Sequence, residues 1–273
     1  MNNILTIDVE DFYQGTEFDN RSNWAKFEKQ SRVKANTMKL LDILDEHGQS
    51  ATFFILDDIT IRFPELIEEI ARRGHEVASH GSSHLPLNQL QPGEFAAEIA
   101  RSKERLSQNT DQPIQGYRAP YFTMRRSMTW ARDILLDHGF RYDSSIFPIY
   151  NYLGGDPGAP RLPFDWGELW EVPISTYSIL GFKVPFSGGF YMRCLPYWWI
   201  RLRISRLNRV GHPAVVYLHP REIDPNQPRM KMTPKQNLFY YINLKNLEQK
   251  LHRLLREFTF RSIRETYNVR FGS

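Results

Sequence analysis

Cysteine is nearly missing from this sequence. Its one copy, Cys194, excludes an intramolecular disulfide framework and leaves no thiolate cluster to bind a metal. Long apolar runs are missing too, so no membrane-spanning helix is expected. There is no internal repeat and no low-complexity tract, and nothing in the composition points to disorder. The opening apolar run, Ile4 to Val9, is too short for a signal peptide and ends in acids rather than at a small-residue cleavage site. The location expected from this is cytoplasmic, with peripheral contact to the inner membrane as a further possibility. No feature points to a nucleic-acid partner.

What is present is an ordinary globular composition. Of 273 residues, 41% are hydrophobic and 24% charged, enough for one large α/β domain over residues 1–273. The net charge of +4 is mildly basic and suits anionic partners. The most local expression of that charge is Tyr197 to Arg209, where aromatics and arginines interleave. On a helical wheel these arginines do not gather on one face. A partly buried helix with snorkelling arginines is therefore expected, and a membrane or lipid-carrier contact is the alternative.

Over the first 145 residues, strand-like and helical periodicities alternate. Ile4 to Asp8, Ala51 to Leu56, His75 to Ser79, Gln115 to Arg118 and Phe140 to Asp143 read as strands. Asn36 to His47, Thr60 to Arg73, Pro92 to Gln108 and Ser127 to His138 read as helices between them. Such alternation implies βαβ units and a parallel sheet, open or closed into a barrel, with chemistry at the carboxyl ends of the strands. An irregular, loop-rich insertion is expected over about 148–196. Regular structure returns with a strand at Pro213 to His219 and a C-terminal helix from Leu244 to Glu257.

The polar candidates sit at those strand ends. His80 and His84 lie four apart, a spacing that lets two imidazoles meet one metal if the segment turns helically. Asp8-Val-Glu-Asp11 supplies three carboxylates where the first strand ends. In an extended strand Asp8 and Glu10 share a side, while Asp11 lies where the chain turns away. Arg118 ends the fourth strand. His75 reads as structural, Asp57-Asp58 as a helix cap, and Glu171 and Glu222 as residues that could line a cleft.

Taken in order, Thr6-Ile-Asp-Val-Glu-Asp11, His80-Gly-Ser-Ser-His84, Arg118-Ala-Pro-Tyr121 and Leu218-His219 resemble the motifs of the polysaccharide deacetylase (NodB-homology, carbohydrate esterase) family. The resemblance is greatest to the branch associated with bacterial exopolysaccharide gene clusters. It extends to Ser187-Gly-Gly-Phe-Tyr191 and Leu218-His-Pro-Arg-Glu-Ile-Asp-Pro225. It implies a distorted (β/α) barrel holding a divalent metal, most often zinc, through one acid and two histidines. Asp8 would be the general base, and His80 and His84 the metal histidines. Arg118 would pair with the base, and Tyr121 would follow the proline whose neighbour offers a backbone N–H to the oxyanion. His219 would protonate the leaving amine. The metal carboxylate would be Asp11, because the family's ligand is an aspartate, with Glu10 as the alternative. Tyr142-Asp-Ser-Ser145 lacks the tryptophan of the family's aspartate-tryptophan motif, which leaves Asp143 without a clear role.

The function implied is removal of an N-acetyl group from a sugar in a polysaccharide or its lipid-linked precursor. The same site on a deformylase or cyclic amide hydrolase is an alternative, and a non-catalytic carbohydrate-binding barrel is another.

Overall fold

The computed structural model describes residues 1–15, 21–150 and 154–271. Its centre is β1 (Asn2–Val9), where apolar residues occupy both faces and all but the first residue are buried. A strand covered on both sides suits a parallel sheet sheathed by helices. β1 pairs in parallel with β2 (Thr52–Ile55), and β2 with β3 (Glu76–Ser79). β4 (Gly116–Tyr117) and β5 (Tyr142–Asp143) continue the sheet in parallel. β7 (Leu169–Glu171) adds to β5, and β6 (Phe164–Trp166) turns back antiparallel at the edge. On the other side of β1 lie β10 (Val215–Leu218) and the short β11 (Thr259–Arg261).

This sheet curls toward itself, giving an α/β fold of the distorted barrel kind that the deacetylase motifs imply. After β7 the Val172 N–H donates to the Asp143 carbonyl, and the Ser175 N–H donates to that of Val215 on β10. A separate hairpin, β8 (Thr176–Ile179) and β9 (Phe182–Pro185), interrupts the chain before Gly188 bridges to Tyr217. Strands from both halves of the sequence thus share one sheet.

Strand alternation sorts residues into two apolar layers. Leu5, Ile7, Val9, Phe53, Ile55 and Val77 join the helices in the outer cluster. Ile4, Phe54, Ala78, Tyr142 and Val215 form the inner one. The four longest helices among the described residues are α2 (Val33–Glu46), α5 (Pro92–Ser107), α8 (Tyr197–Arg209) and α10 (Leu244–Glu257).

The single helix expected over Thr60 to Arg73 is two, Asp57–Arg62 and Pro64–Arg72. Pro64 has no N–H to continue the ladder, and it forces Phe63 out of helical geometry, to φ −141° and ψ 59°. The irregular stretch resolves, where described, into β6 to β9 and the helix Gly189–Cys194. Residues 151–153 lie outside the described set.

His75 is structural. Its ring is buried, packs 5.2 Å from Phe53, and neither nitrogen has a partner among the described residues. Burial pulls its pKa down to about 4. The folded state therefore resists a proton that the unfolded state accepts near pH 6.5, so stability is lost as pH falls from about 6.5 towards 4 and is untouched above. The full penalty is at most about 3 kcal/mol. The melting temperature of wild type should fall relative to that of His75→Leu as pH drops from 8 towards 4. An unchanged gap across that range would show that the imidazole is not held neutral.

Candidate active site

The polar residues buried in the barrel mouth come from the carboxyl ends of neighbouring strands. Asp8 is on β1 and Glu10 just after it; His80 follows β3, Arg118 follows β4 and His219 follows β10. Three non-glycine residues at this mouth hold left-handed backbone, His84 (φ 56°), Tyr121 (φ 57°) and Phe122 (φ 56°). Strain of this kind persists where surrounding structure enforces it, and functional sites collect it.

Glu10, His80 and His84 form a buried group able to hold a metal. Glu10 Oε1 lies 2.9 Å from His80 Nε2 and 3.0 Å from His84 Nε2. Each ring is oriented from behind. His80 Nδ1 is 2.8 Å from the Arg118 carbonyl, and His84 Nδ1 is 2.9 Å from the Tyr121 hydroxyl. With Nδ1–H donating in both cases, both Nε2 atoms would be free to bind an ion held between them and Glu10, the arrangement of metal-bound histidines. Burial would raise the Glu10 carboxyl, but His84, His219 and His80 outweigh it and hold it well below the usual carboxylate range. One anionic oxygen donor and two imidazoles suit zinc or a similar divalent ion.

Asp11, preferred as ligand on the strength of the resemblance, points elsewhere. Its Oδ1 accepts from the backbone N–H of Phe12 (2.9 Å) and of Arg32 (3.1 Å), and its Oδ2 accepts from the Ser31 hydroxyl. It ties the turn after β1 to the start of α2, while the carboxylate in the histidine group is Glu10. The physical cause is strand pleat: Asp8 and Glu10 extend one face, and the chain turns at Asp11.

Arg118 is fully buried beneath this group. Its Nη1 donates to Asp8 Oδ1 (2.6 Å) and Thr6 Oγ1 (2.8 Å), and its Nε and Nη2 donate to the Ser144 carbonyl and hydroxyl. Its guanidinium also lies 4.2 Å over the Phe54 ring. Asp143 holds Ser145 and is hydrogen-bonded to Glu171. Burial, then the charge of Asp143, pushes the Glu171 carboxyl well up.

His219 is the most open of these groups, its side chain 18% exposed. Its Nε2 lies 4.0 Å from Glu10 Oε1 and its Nδ1 lies 3.3 Å from Glu222 Oε2. Glu222 also accepts from the His219 backbone N–H and pairs with the buried Arg193 at 3.2 Å. Burial raises the Glu222 carboxyl, but its bond to His219 and the charge of Arg193 outweigh this, holding it at about 2. Burial lowers the His219 pKa; Glu10, Glu222 and Asp8 more than reverse this and leave it raised. Space for Glu222 depends on Gly189, where an added Cβ would sit 1.6 Å from Glu222 Oε2. Local pattern gives the Ser187-Gly-Gly motif no role. Its role is to let the chain pass against Tyr217 and Glu222. Arg193 carried no local signal at all.

Asp57 accepts from Ser82 and Arg105, and Asp58 from Gln14, so both are structural.

Against this geometry, comparison with known proteins is specific. The polysaccharide deacetylase family model matches residues 16–142, and a domain of unknown function matches residues 144–268. The chain is 32% identical over 100 residues to a chitooligosaccharide deacetylase of Bradyrhizobium sp., which covers 36% of this chain and 43% of that protein. It is 31% identical over 98 residues to a peptidoglycan-N-acetylglucosamine deacetylase of Bacillus cereus, covering 36% of each. It thus spans well under half the length of these curated relatives. Among solved structures, a Mycobacterium smegmatis protein provisionally named a polysaccharide deacetylase superposes with TM-score 0.66 at 20% identity, over 97% of this chain and 88% of that one. A CE4 family pseudoenzyme from Bacillus anthracis superposes with TM-score 0.52 at 15% identity, over 97% and 65%. At such identities the likeness is one of fold. The match to the polysaccharide deacetylase (NodB-homology) family thus covers residues 16–142, just under half of the chain.

Metal affinity distinguishes the two carboxylates. Glu10→Ala should lose zinc affinity by roughly a hundredfold or more, since two donors fix an ion poorly. Asp11→Ala should keep the ion and instead lower the melting temperature. Elemental analysis finding full metal in Glu10→Ala and none in Asp11→Ala would reverse the assignment.

Proposed function

We propose that the protein hydrolyses the N-acetyl amide of an N-acetylated sugar, in a polysaccharide or its lipid-linked precursor. A divalent ion, most simply zinc, would be held by Glu10, His80 and His84. The observation that carries the reading is convergence: a three-donor group, an arginine-paired carboxylate and an oriented imidazole meet in one barrel mouth. Bacterial exopolysaccharide assembly, the setting of the branch its motifs resemble, is the proposed context.

A bound ion would polarise the acyl carbonyl and make water more acidic. The chain's own residues do the rest. Arg118 pairs with Asp8 and fixes its carboxylate in place, so Asp8 can take a proton from the attacking water. The Tyr121 backbone N–H, carried on a fixed left-handed turn, is assigned to the oxygen that gains charge. His219 gives its Nε2 proton to the sugar nitrogen as the C–N bond breaks, releasing acetate and the free amine. Glu222, on Nδ1, fixes the ring so that Nε2 is the face presented. A purely sugar-binding barrel has no use for this proton-transfer pair.

Acetate release from N-acetylated oligosaccharides is the direct assay. Asp8→Asn should keep the ion and lose about two to four orders of magnitude in kcat, and His219→Ala a comparable amount. His219→Ala should lose less on amides whose leaving amine is less basic. Wild-type activity in metal-replete Asp8→Asn would remove Asp8 from the mechanism. Formate release without acetate release would move the substrate to the alternative class.

A further inference from the structure

We propose that the β8–β9 hairpin docks the protein on an anionic lipid surface, its apolar tip entering the headgroup region and flanking arginines meeting lipid phosphates. The proposal stands independently of the hydrolytic reading.

The tip is the first observation. Ile179, Leu180 and Phe182 cluster at one turn and are 51%, 92% and 74% exposed. Leu180 and Gly181 both have positive φ, 48° and 83°, as in the tight turns that usually take Asn-Gly. A leucine there costs backbone energy that asparagine would spare, and it adds nothing to the core it points away from. Three neighbouring large apolar side chains facing water mark a contact surface rather than scatter.

Charge identifies the partner. From Val172 to His219 the sequence has six basic residues and no acid. Arg193 and Arg201 are spoken for by Glu222 and Glu257. Arg203 is stacked between Tyr177 of the hairpin (4.3 Å) and Trp199 of α8 (3.6 Å), which fastens the finger to the helix. Beside that stack a cavity of about 220 Å³ is lined by Arg161, Tyr177, Arg203, Arg206 and Val210. Arg161, Arg206 and the exposed Arg209 have no carboxylate partner among the described residues. Asp156, whose charge reaches Lys183, is already paired with Arg126 at 2.8 Å. An apolar tip beside unpaired guanidinium groups is complementary to a surface with anionic headgroups over acyl chains, where charge and insertion add. The helix α8 supports the finger and contributes its far arginines, while the apolar contact comes from the hairpin.

Flotation of the full chain with phosphatidylglycerol–phosphatidylcholine vesicles, against phosphatidylcholine alone, tests this. Wild type should float with the anionic vesicles at low salt and much less at high salt. Leu180→Ser with Phe182→Ser should weaken partitioning roughly tenfold to a hundredfold. Arg161→Gln with Arg206→Gln and Arg209→Gln should weaken it roughly a hundredfold. Both variants should keep the wild-type melting curve and metal content. Equal flotation of wild type and the tip variant, or none by wild type, would overturn the proposal. So would binding to a soluble anionic polysaccharide that ignores the tip, or a tip-dependent dimer in sedimentation without vesicle binding.

Discussion

A guanidinium with no access to water sits at the centre of this molecule. Arg118 reaches from the end of β4 to Thr6 and Asp8 on β1 and to Ser144 beyond β5, and its own carbonyl fixes the ring of His80. A buried charge is tolerable only when paired and hydrogen-bonded; removing one partner from such a pair typically costs about 3–5 kcal/mol. The barrel interior, the position of Asp8 and the orientation of the His80 ring therefore depend on one residue. The acids nearby are arranged accordingly: Asp8 takes the arginine, while burial raises the pKa of both Asp143 and Glu171 and so favours their neutral forms.

The rest of the site follows from strand geometry. Alternation along parallel strands sends apolar side chains to both layers over most of their length and leaves polar ones at the carboxyl ends, where the sheet opens. Glu10, His80 and His219 reach one point from strands β1, β3 and β10 because β1 lies between β10 and β2, with β3 next. The positive-φ backbone at His84 and Tyr121 then aims a ligand and its supporting hydroxyl inward from a loop.

Much of this was legible in the sequence because it is local. A strand buried on both faces reads as an apolar run, as at Ala51 to Leu56, and α10 follows its heptad-like leucines over the range expected. β11, three residues that pair with β1 more than 250 positions away, has no periodicity to read. The choice between Glu10 and Asp11 shows the same division. Strand pleat alone puts Asp8 and Glu10 together, whereas resemblance to aspartate ligands favours Asp11. What holds Asp11 away is Ser31 and Arg32, twenty residues on, and no local pattern reveals them. Glu222 was visible only as a cleft candidate, since its meaning depends on Arg193 and Gly189 far upstream.

That last cluster bears on how such a chain can be recombined. The two histidines and Arg118 lie in the segment matched by the deacetylase family, while His219, Glu222, Arg193 and Gly189 all lie in the segment after it. The second segment thus carries the proposed acid together with the residues that steady it, and the four depend on one another for their placement. A chimera that grafts a foreign second half must import all four together. A graft with any side chain at position 189 would push Glu222 off the imidazole and leave a metal-loaded barrel with a misaimed proton donor.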